Sequence, residues 1–537
     1  MAAPLRHARP VPLRKRDLPA WISWPVVAIL TGTSLGLGFF DLTKRSLWLD
    51  EGYTWLTAAQ NVKGIVAIAR PFGYHLLGYY LLIHTMIVWF GDSSFVLRAP
   101  SVVAGALTVP LLYLLVARLG GRLAAVYASL LFVVSESLVF WQQNARDYSL
   151  VVFFAVASTL AAVVAMEEGR LWRFAVWAVV TALGCYTHPE LLLLLPPQEI
   201  VLLLWTRSAR ARISLLAVTA LGALAGLPVL GEATHSSVYQ ITPLGPPNYG
   251  SATEIATFLA SAAGTSQPVR AANHALLGIT FAVVLLGVAM LGADLVERGC
   301  TAGNLGLGLC LAWLTVPPVL SWIVSESGRP DFLDRYLILS LPATAAVVAL
   351  VAVRLDPRML GLFIVVYLTI FRAGLLVQSY HWPLDDYRDA TRTVLASAQR
   401  GDCITLTSNQ GRTLWDYYSA RITRIDGRNP YVPPQELPLA RNGTPVVVLG
   451  FNDMPIGEIN AFQADVYVRE TTAICKRMWL FSSHSGSPNG PPALREEYQS
   501  MQALRTNLSH YYRPVKGYPF PGVGVFLYDR IRVAWPR

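Results

Sequence analysis

The residues able to do chemistry are few in this sequence, and they stand at the ends of apolar runs. The stretch SLWLDEGYTW sets Asp50 and Glu51 side by side among Trp48, Tyr53 and Trp55. Further on, NARDYSL carries Arg146, Asp147 and Tyr148, YTHPE carries His188 and Glu190, and FLDRYL carries Asp334, Arg335 and Tyr336. A carboxylate held within hydrogen-bond reach of a hydroxyl acts as a general base. Two arginines grip a phosphate with forked, charge-assisted bonds and stabilise negative charge on a leaving group. Tyr and His hydrogen-bond phosphate or sugar hydroxyls, and the flanking tryptophans and tyrosines offer apolar faces to a sugar ring or a lipid. The set suits a substrate with a lipid tail, a phosphate and a sugar.

Each piece alone has a plainer reading. Adjacent acids after an apolar run also cap a helix N-terminus and favour its dipole. RDY and DRY also serve as interfacial anchors, because Arg snorkels and Tyr belongs to the aromatic belt. His188 before Pro189 also simply ends a helix. Their coincidence at one membrane surface is what favours a site, so topology has to be established.

The chain has 537 residues, 54% hydrophobic and 14% charged, with a mean hydropathy of +0.44. A soluble chain carries about 25% charged residues. Several apolar runs of roughly 18 to 22 residues are long enough to cross a bilayer, so the expected fold is a polytopic α-helical membrane protein. The net charge of +10 does not point to nucleic acid, because the arginines cluster in short segments between apolar runs, where they set orientation. The basic stretch RHARPVPLRKRD precedes the apolar run 21–40, and no small-residue cleavage site follows. Residues 1–20 are therefore expected to be a cytoplasmic tail before an uncleaved first span.

Arginine-bearing segments at 117–122, 167–173, 206–212, 297–299 and 354–358 belong in the cytoplasm by the positive-inside rule. About eleven spans fit: 21–40, 99–117, 123–141, 149–166, 174–187, 191–205, 213–231, 274–295, 305–324, 336–353 and 359–377. They alternate correctly only if YHLLGYYLLIHTMIVWF, residues 74–90, does not cross. That segment is short and holds His75 and His84, and it reads as part of an interfacial helical stretch over about 56–90. Were it an ordinary span, the downstream polarity would invert or another helix would be miscounted. With this topology every polar stretch above faces outward. Ionisable groups at the hydrocarbon edge are expensive and mark a functional site by default.

After Val377 the composition changes, and residues 379–537 read as a soluble extracytoplasmic α/β domain. DDYRDATRTVLASAQ is an amphipathic helix, GDCITLTS, TPVVVLGF and GVGVFLYDRIRV are strands, and 494–512 is a helix. Of the five cysteines none has metal-ligand spacing. Cys403 and Cys475 both fall in this domain, where an oxidising compartment permits a disulfide; unpaired strand cysteines are the alternative. There is no internal repeat and no phosphate-cradling Gly loop. GLGLC at 306–310 lies inside a span, where small residues serve helix packing.

At these residues the chain resembles the GT-C superfamily of polytopic glycosyltransferases. Within it, the chain looks like the bacterial family-39-like branch, related to protein O-mannosyltransferases and the lipid A aminoarabinose transferase. The likeness covers about residues 20–380. It rests on LWLDEGYTW, HLLGYYLLIH, LRAPSVVAGALTVPLLYLLVARLGG, QQNARDYSL, YTHPE and DRYLILSLP, in the family's order. The resemblance implies transfer of a sugar from a polyprenyl-phosphate carrier on the non-cytoplasmic face of the cell membrane. Asp50 matches the family's first-loop catalytic aspartate, Arg146-Asp147-Tyr148 its second-loop motif, and His188 the histidine ending a later span. Arg335-Tyr336 match the pair associated with the carrier phosphate. Where relatives carry His-Pro-Pro, this chain has His75-Leu76-Leu77, so the rigid turn is missing and acceptor selection is in question.

The implied mechanism is a single displacement in which Asp50 deprotonates the acceptor hydroxyl while Arg335 and Arg146 stabilise the departing phosphate. Glu51 either assists or joins Asp50 and Asp147 in holding a divalent cation (Mg or Mn); no obligatory cofactor is expected. The acceptor is a lipid, a polysaccharide or a protein. A transporter or flippase of a lipid-linked saccharide is one alternative, although such proteins often show paired repeats. A ligase using a pyrophosphate-linked donor is another, and an inactive scaffold with a binding domain a third. The outer domain and the loop 232–272 are placed to shape the acceptor side.

Overall fold

Long apolar runs leave the backbone no partner but itself, and helices follow. The computed structural model describes residues 18–70, 74, 76–206, 208–209, 211–221, 246–263, 273–326, 332–381, 385–399, 401–406, 409–423, 447–450, 468–469, 471–472, 475–483, 488–489 and 492–531. The helices of the first part are α1 (Ala20–Phe39), α2 (Leu49–Ala58), α3 (Val62–Ala69), α4 (Leu77–Phe90), α5 (Ser94–Gly120), α6 (Arg122–Val133), α7 (Glu136–Gln142), α8 (Tyr148–Glu168), α9 (Leu171–Thr187) and α10 (Leu195–Trp205). They are followed by α11 (Ala211–Leu221) and by α12 (Tyr249–Ser261), α13 (Asn273–Arg298), α14 (Ala302–Glu326), α15 (Leu341–Ala352) and α16 (Arg358–Tyr380). Contacts divide the chain into two units, one within residues 1–42, 62–241 and 246–381, the other within 43–61, 242–245 and 382–537. Residues 43–61 therefore group with the C-terminal part of the chain.

The first unit is a multi-pass membrane body. Among the described residues six helices are long and apolar enough to cross (α1, α5, α8, α13, α14 and α16), or seven if α6 and α7 count as one span bent by 62°. Ten of the eleven expected spans fall on helices, not all as single rods, and the described part of the eleventh, 213–231, lies on α11. The expected span 123–141 breaks at Ser135, whose Oγ accepts the Leu138 N–H at 3.4 Å and so starts a new helix. The expected spans at 191–205 and 336–353 open as 3-10 turns, Pro189–Leu194 and Leu337–Ser340. Within segment 74–90, Leu77–Phe90 form α4, a helix of 14 residues that reaches only about 21 Å, short of a hydrocarbon core of about 30 Å.

α5 packs against α1, α6 and α8, and α15 is buried along its whole length among α6, α13, α14 and α16. Small residues permit the close approaches. A Cβ on Gly306 would stand 2.6 Å from the Leu119 carbonyl oxygen, and one on Gly308 3.0 Å from the Trp205 ring. The glycines of GLGLC thus serve helix packing.

The second unit holds α17 (Tyr387–Ser397), β1 (Asp402–Leu406), α18 (Asn409–Thr423), β2 (Val447–Gly450), β3 (Arg477–Ser482), α19 (Pro492–Tyr511), β4 (Tyr512–Phe520) and β5 (Val523–Arg530). Its mixed sheet runs β2-β1-β3-β5-β4, parallel across the first three strands and antiparallel across the rest. Met478, Leu480, Leu504, Leu508, Tyr512 and Tyr528 form its core around Cys403 and Cys475. Each such side chain withdrawn from water stabilises by about 1.5–3 kcal/mol. Cys403 and Cys475 are joined by a disulfide with Cα atoms 5.4 Å apart.

Candidate functional site

The acidic pair sits in the first turn of α2, in the second unit. Trp48 precedes the helix, and its backbone N–H donates to Glu51 Oε2 at 3.3 Å. Glu51 is fully buried, whereas Asp50 and Tyr53 are half-buried. The two acids are therefore unequal: Glu51 closes the helix start, and Asp50 stays partly exposed. Trp55 is 1% exposed and stacks edge-on against Tyr417, with ring centroids 5.2 Å apart. The expectation that Trp55 offers a free face to sugar or lipid is thus corrected, because that ring is spent on packing.

In the first unit, stretches far apart in sequence converge. Tyr148, at the start of α8, lies 4.2 Å from the Trp141 ring, 5.7 Å from His188 and 6.5 Å from Tyr336, centroid to centroid. His188 and Tyr336 are 5.4 Å apart. The Arg146 guanidinium stands 5.8 Å from the Tyr148 ring and that of Arg335 5.3 Å from the Tyr336 ring. Tyr148, Asp147 and His188 are buried, while Arg146, Arg335 and Tyr336 are half-buried. The Arg335 backbone N–H donates to Asp334 Oδ1 at 2.7 Å, which turns the chain into the 3-10 segment.

His188 does two jobs. Its Nδ1 accepts the Glu190 backbone N–H at 3.3 Å and so caps the turn that follows. With Nδ1 accepting, the neutral ring carries its proton on Nε2. Two guanidiniums, two phenols and an imidazole donor gathered in this way suit an anion such as a phosphate. His75 lies outside the described residues.

Sequence reading did not single out the residues that hold this cluster. Gln143 Nε2 donates to the carbonyl oxygens of Leu37, Gly38 and Phe40 at 3.1, 3.3 and 2.7 Å, and Gln142 Nε2 donates to Ser34 Oγ at 3.2 Å. Arg98, 1% exposed, donates to the Leu42 carbonyl at 2.6 Å. The two glutamines tie the end of α1 to the segment that carries Arg146, and Arg98 ties the chain just beyond α1 to α5. The available signal was the polar tripeptide Gln142-Gln143-Asn144 inside an apolar surround. Among the described residues no three His, Cys, Asp or Glu side chains come together as metal ligands.

Comparisons with known proteins bear on the fold. The family model for dolichyl-phosphate-mannose-protein mannosyltransferase matches residues 75–231. The Archaeoglobus fulgidus oligosaccharyltransferase in its apo form is similar at 14% identity over 95% of this chain and 74% of its own, with a TM-score of 0.52. ArnT from Cupriavidus metallidurans in the apo state is similar at 13% identity over 97% of this chain and 100% of its own, with a TM-score of 0.52. No curated protein sequence matches the chain. The fold is that of the GT-C glycosyltransferases, a polytopic helical body with a C-terminal soluble unit.

Proposed function

We propose that this protein is a membrane glycosyltransferase that moves a sugar from a polyprenyl-phosphate donor to an acceptor hydroxyl on the extracytoplasmic face. The observation that carries this reading is the meeting of Tyr148, His188 and Tyr336 with Arg146 and Arg335. The fold supports it, since one structure of that fold is the A. fulgidus oligosaccharyltransferase AglB in complex with an inhibitory peptide and a dolichol-phosphate. The disulfide in the C-terminal unit supports an oxidising outer compartment for that part. The arginine placement supports a cytoplasmic N-terminus.

Asp50 takes the proton of the acceptor hydroxyl. The acceptor oxygen forms a bond to the anomeric carbon as the bond from that carbon to the phosphate oxygen breaks. The electron pair leaves with the polyprenyl phosphate, whose charge Arg335 and Arg146 receive, and the configuration inverts. No step is assigned to a divalent ion. The acceptor is a lipid, a polysaccharide or a protein.

The likeness to an oligosaccharyltransferase supports a second reading, transfer of a whole glycan from a pyrophosphate carrier. One experiment separates the readings. Purified protein in lipid is given a panel of polyprenyl-phosphate and polyprenyl-pyrophosphate sugars with native membrane extract as acceptor, and the released carrier is followed for wild type and Asp50→Asn. Polyprenyl phosphate released by wild type and lost in a folded Asp50→Asn supports the transferase. Release only from pyrophosphate donors supports the ligase. No release, with saccharide carrier crossing vesicles unaffected by Asp50→Asn, overturns both in favour of a flippase.

A further inference from the structure

The helix that bears Asp50 has no long-range support of its own in the sequence, yet the C-terminal unit grips it along one continuous stripe. Four residues of α18 at helical spacing, Leu414, Tyr417, Tyr418 and Arg421, all face the 43–61 segment. A Cβ on Gly52 would stand 2.9 Å from Leu414 Cδ2, so Gly52 is what lets the two helices approach. Trp55 lies against Tyr417, and the Arg421 guanidinium stands 3.5 Å from the Tyr417 ring and 6.0 Å from that of Trp55. Positions three and four apart share one helix face, so this face of α18 is given over to α2.

The non-helical approach to α2 is held from the same side. Tyr418 Oη accepts the Leu47 backbone N–H at 2.6 Å and the Ser46 hydroxyl at 3.2 Å. The Arg388 guanidinium donates to the Thr43 and Lys44 carbonyl oxygens at 3.1 and 2.6 Å, and its backbone N–H donates to Ser46 Oγ at 3.2 Å. Leu47 is fully buried and Ser46 is 4% exposed, so water cannot replace the two bonds to Tyr418 cheaply. Leu47 is three residues before Asp50, less than one helical turn.

We propose that Tyr418 is a positioning residue for Asp50, and that the C-terminal unit works as the mount of the catalytic base as well as any acceptor surface. The inference rests on the transferase reading above. Fixing the Leu47 N–H sets where α2 begins, and therefore the direction in which Asp50 projects. A misplacement of about 1 Å at a reacting group costs on the order of a hundredfold in rate. Tyr418→Phe keeps the ring and its packing and removes only the acceptor oxygen.

The test uses the full-length protein in lipid and the donor found active above. Tyr418→Phe lowers kcat about tenfold to a hundredfold, with the donor KM unchanged because the phosphate-binding groups belong to the other unit. In an Asp50→Asn background, followed by long single-turnover incubations, Tyr418→Phe adds nothing, because it acts through Asp50. Unchanged kcat in a folded Tyr418→Phe overturns the inference, and so does a further equal loss on top of Asp50→Asn. If Tyr418→Phe does not fold, Arg388→Gln carries the same test through Thr43 and Lys44. Wild-type turnover by Asp50→Asn sinks the base assignment itself, whereas an inactive Asp50→Asn beside a fully active Tyr418→Phe sinks only the positioning role.

Discussion

Arg372 lies in α16, is 1% exposed, and donates through Nη2 to the carbonyl oxygen of Ala260 at 3.0 Å. Its Nη1 donates to the Leu131 carbonyl at 3.3 Å. Leu131 is in the last turn of α6 and Ala260 in the last turn of α12. Carbonyls there lack helical partners and form the negative ends of the two helix dipoles. A guanidinium buried in an apolar span is thus explained by the two helix ends it satisfies. Ser135 Oγ and the Ser137 N–H both donate to the Ala262 carbonyl, at 2.9 and 3.0 Å, which fixes the end of α12 to the start of α7.

Replacing Arg372 with Met therefore removes two bonds to buried carbonyls and keeps the volume. The expected cost is about 2–4 kcal/mol, read as a lower melting temperature of the solubilised protein. Arg372→Lys, with one ammonium in place of the fork, loses less. An unchanged melting temperature in Arg372→Met would show that the helix ends need no cation.

The phosphate assignment is tested at Arg335. Arg335→Ala removes a group assigned to the leaving phosphate, and kcat falls by about a hundredfold to a thousandfold. Arg335→Lys restores part of the rate, since it keeps the charge and loses the fork. If both variants turn over at the wild-type rate while binding donor normally, Arg335 has no part in receiving the phosphate.

Much of this architecture was legible in the sequence because it is local. Among the described residues the apolar runs located the helices of the membrane body, and the composition change after Val377 located the second unit's strands β1, β2 and β5 and its helices α17 and α19. β4 escaped because Arg513, Pro514, Lys516 and Pro519 give it the look of a loop; it is an edge strand, where prolines and charges are tolerated. The break inside 123–141 was missed although Ser135-Glu136 is a helix-start signal, because apolar residues continue on both sides. The grouping of 43–61 with α18 joins residues more than 350 positions apart, as the Leu47–Tyr418 separation of 371 shows. No periodicity reports such a contact. Arg372 was hidden for a related reason, since its partners are backbone carbonyls and leave no mark in composition.

The disulfide gives a prediction for the second unit alone. Cys403 and Cys475 are 72 positions apart, and on the chain-entropy account a loop of that size contributes about 4 kcal/mol. Reduction, or replacement of both cysteines by Ser, is expected to lower the melting temperature of this unit in the full-length protein. The same reductant should leave the double variant unaffected. Equal responses of wild type and double variant to reductant would show that the two thiols are not paired.

Asp416 supplies a dependence on pH with a definite sign. Arg412 Nε donates to both of its carboxylate oxygens, at 2.8 and 2.9 Å, yet burial outweighs this pairing and holds the carboxyl above its ordinary value. The folded protein therefore keeps this proton at a pH where the unfolded chain has already lost it. Between the ordinary carboxylate value and the raised one, the unfolded state binds fewer protons, so stability falls as pH rises. Below that window the contribution is fully present, and above it the penalty of a half-buried charge is constant. Asp416→Asn has no proton to lose and is the reference. The melting temperature of wild type minus that of Asp416→Asn is expected to be greatest in acid and to shrink as pH rises through the window. A difference that grows with pH would mean that the pairing with Arg412 outweighs burial, and that Asp416 holds α18 as a charge.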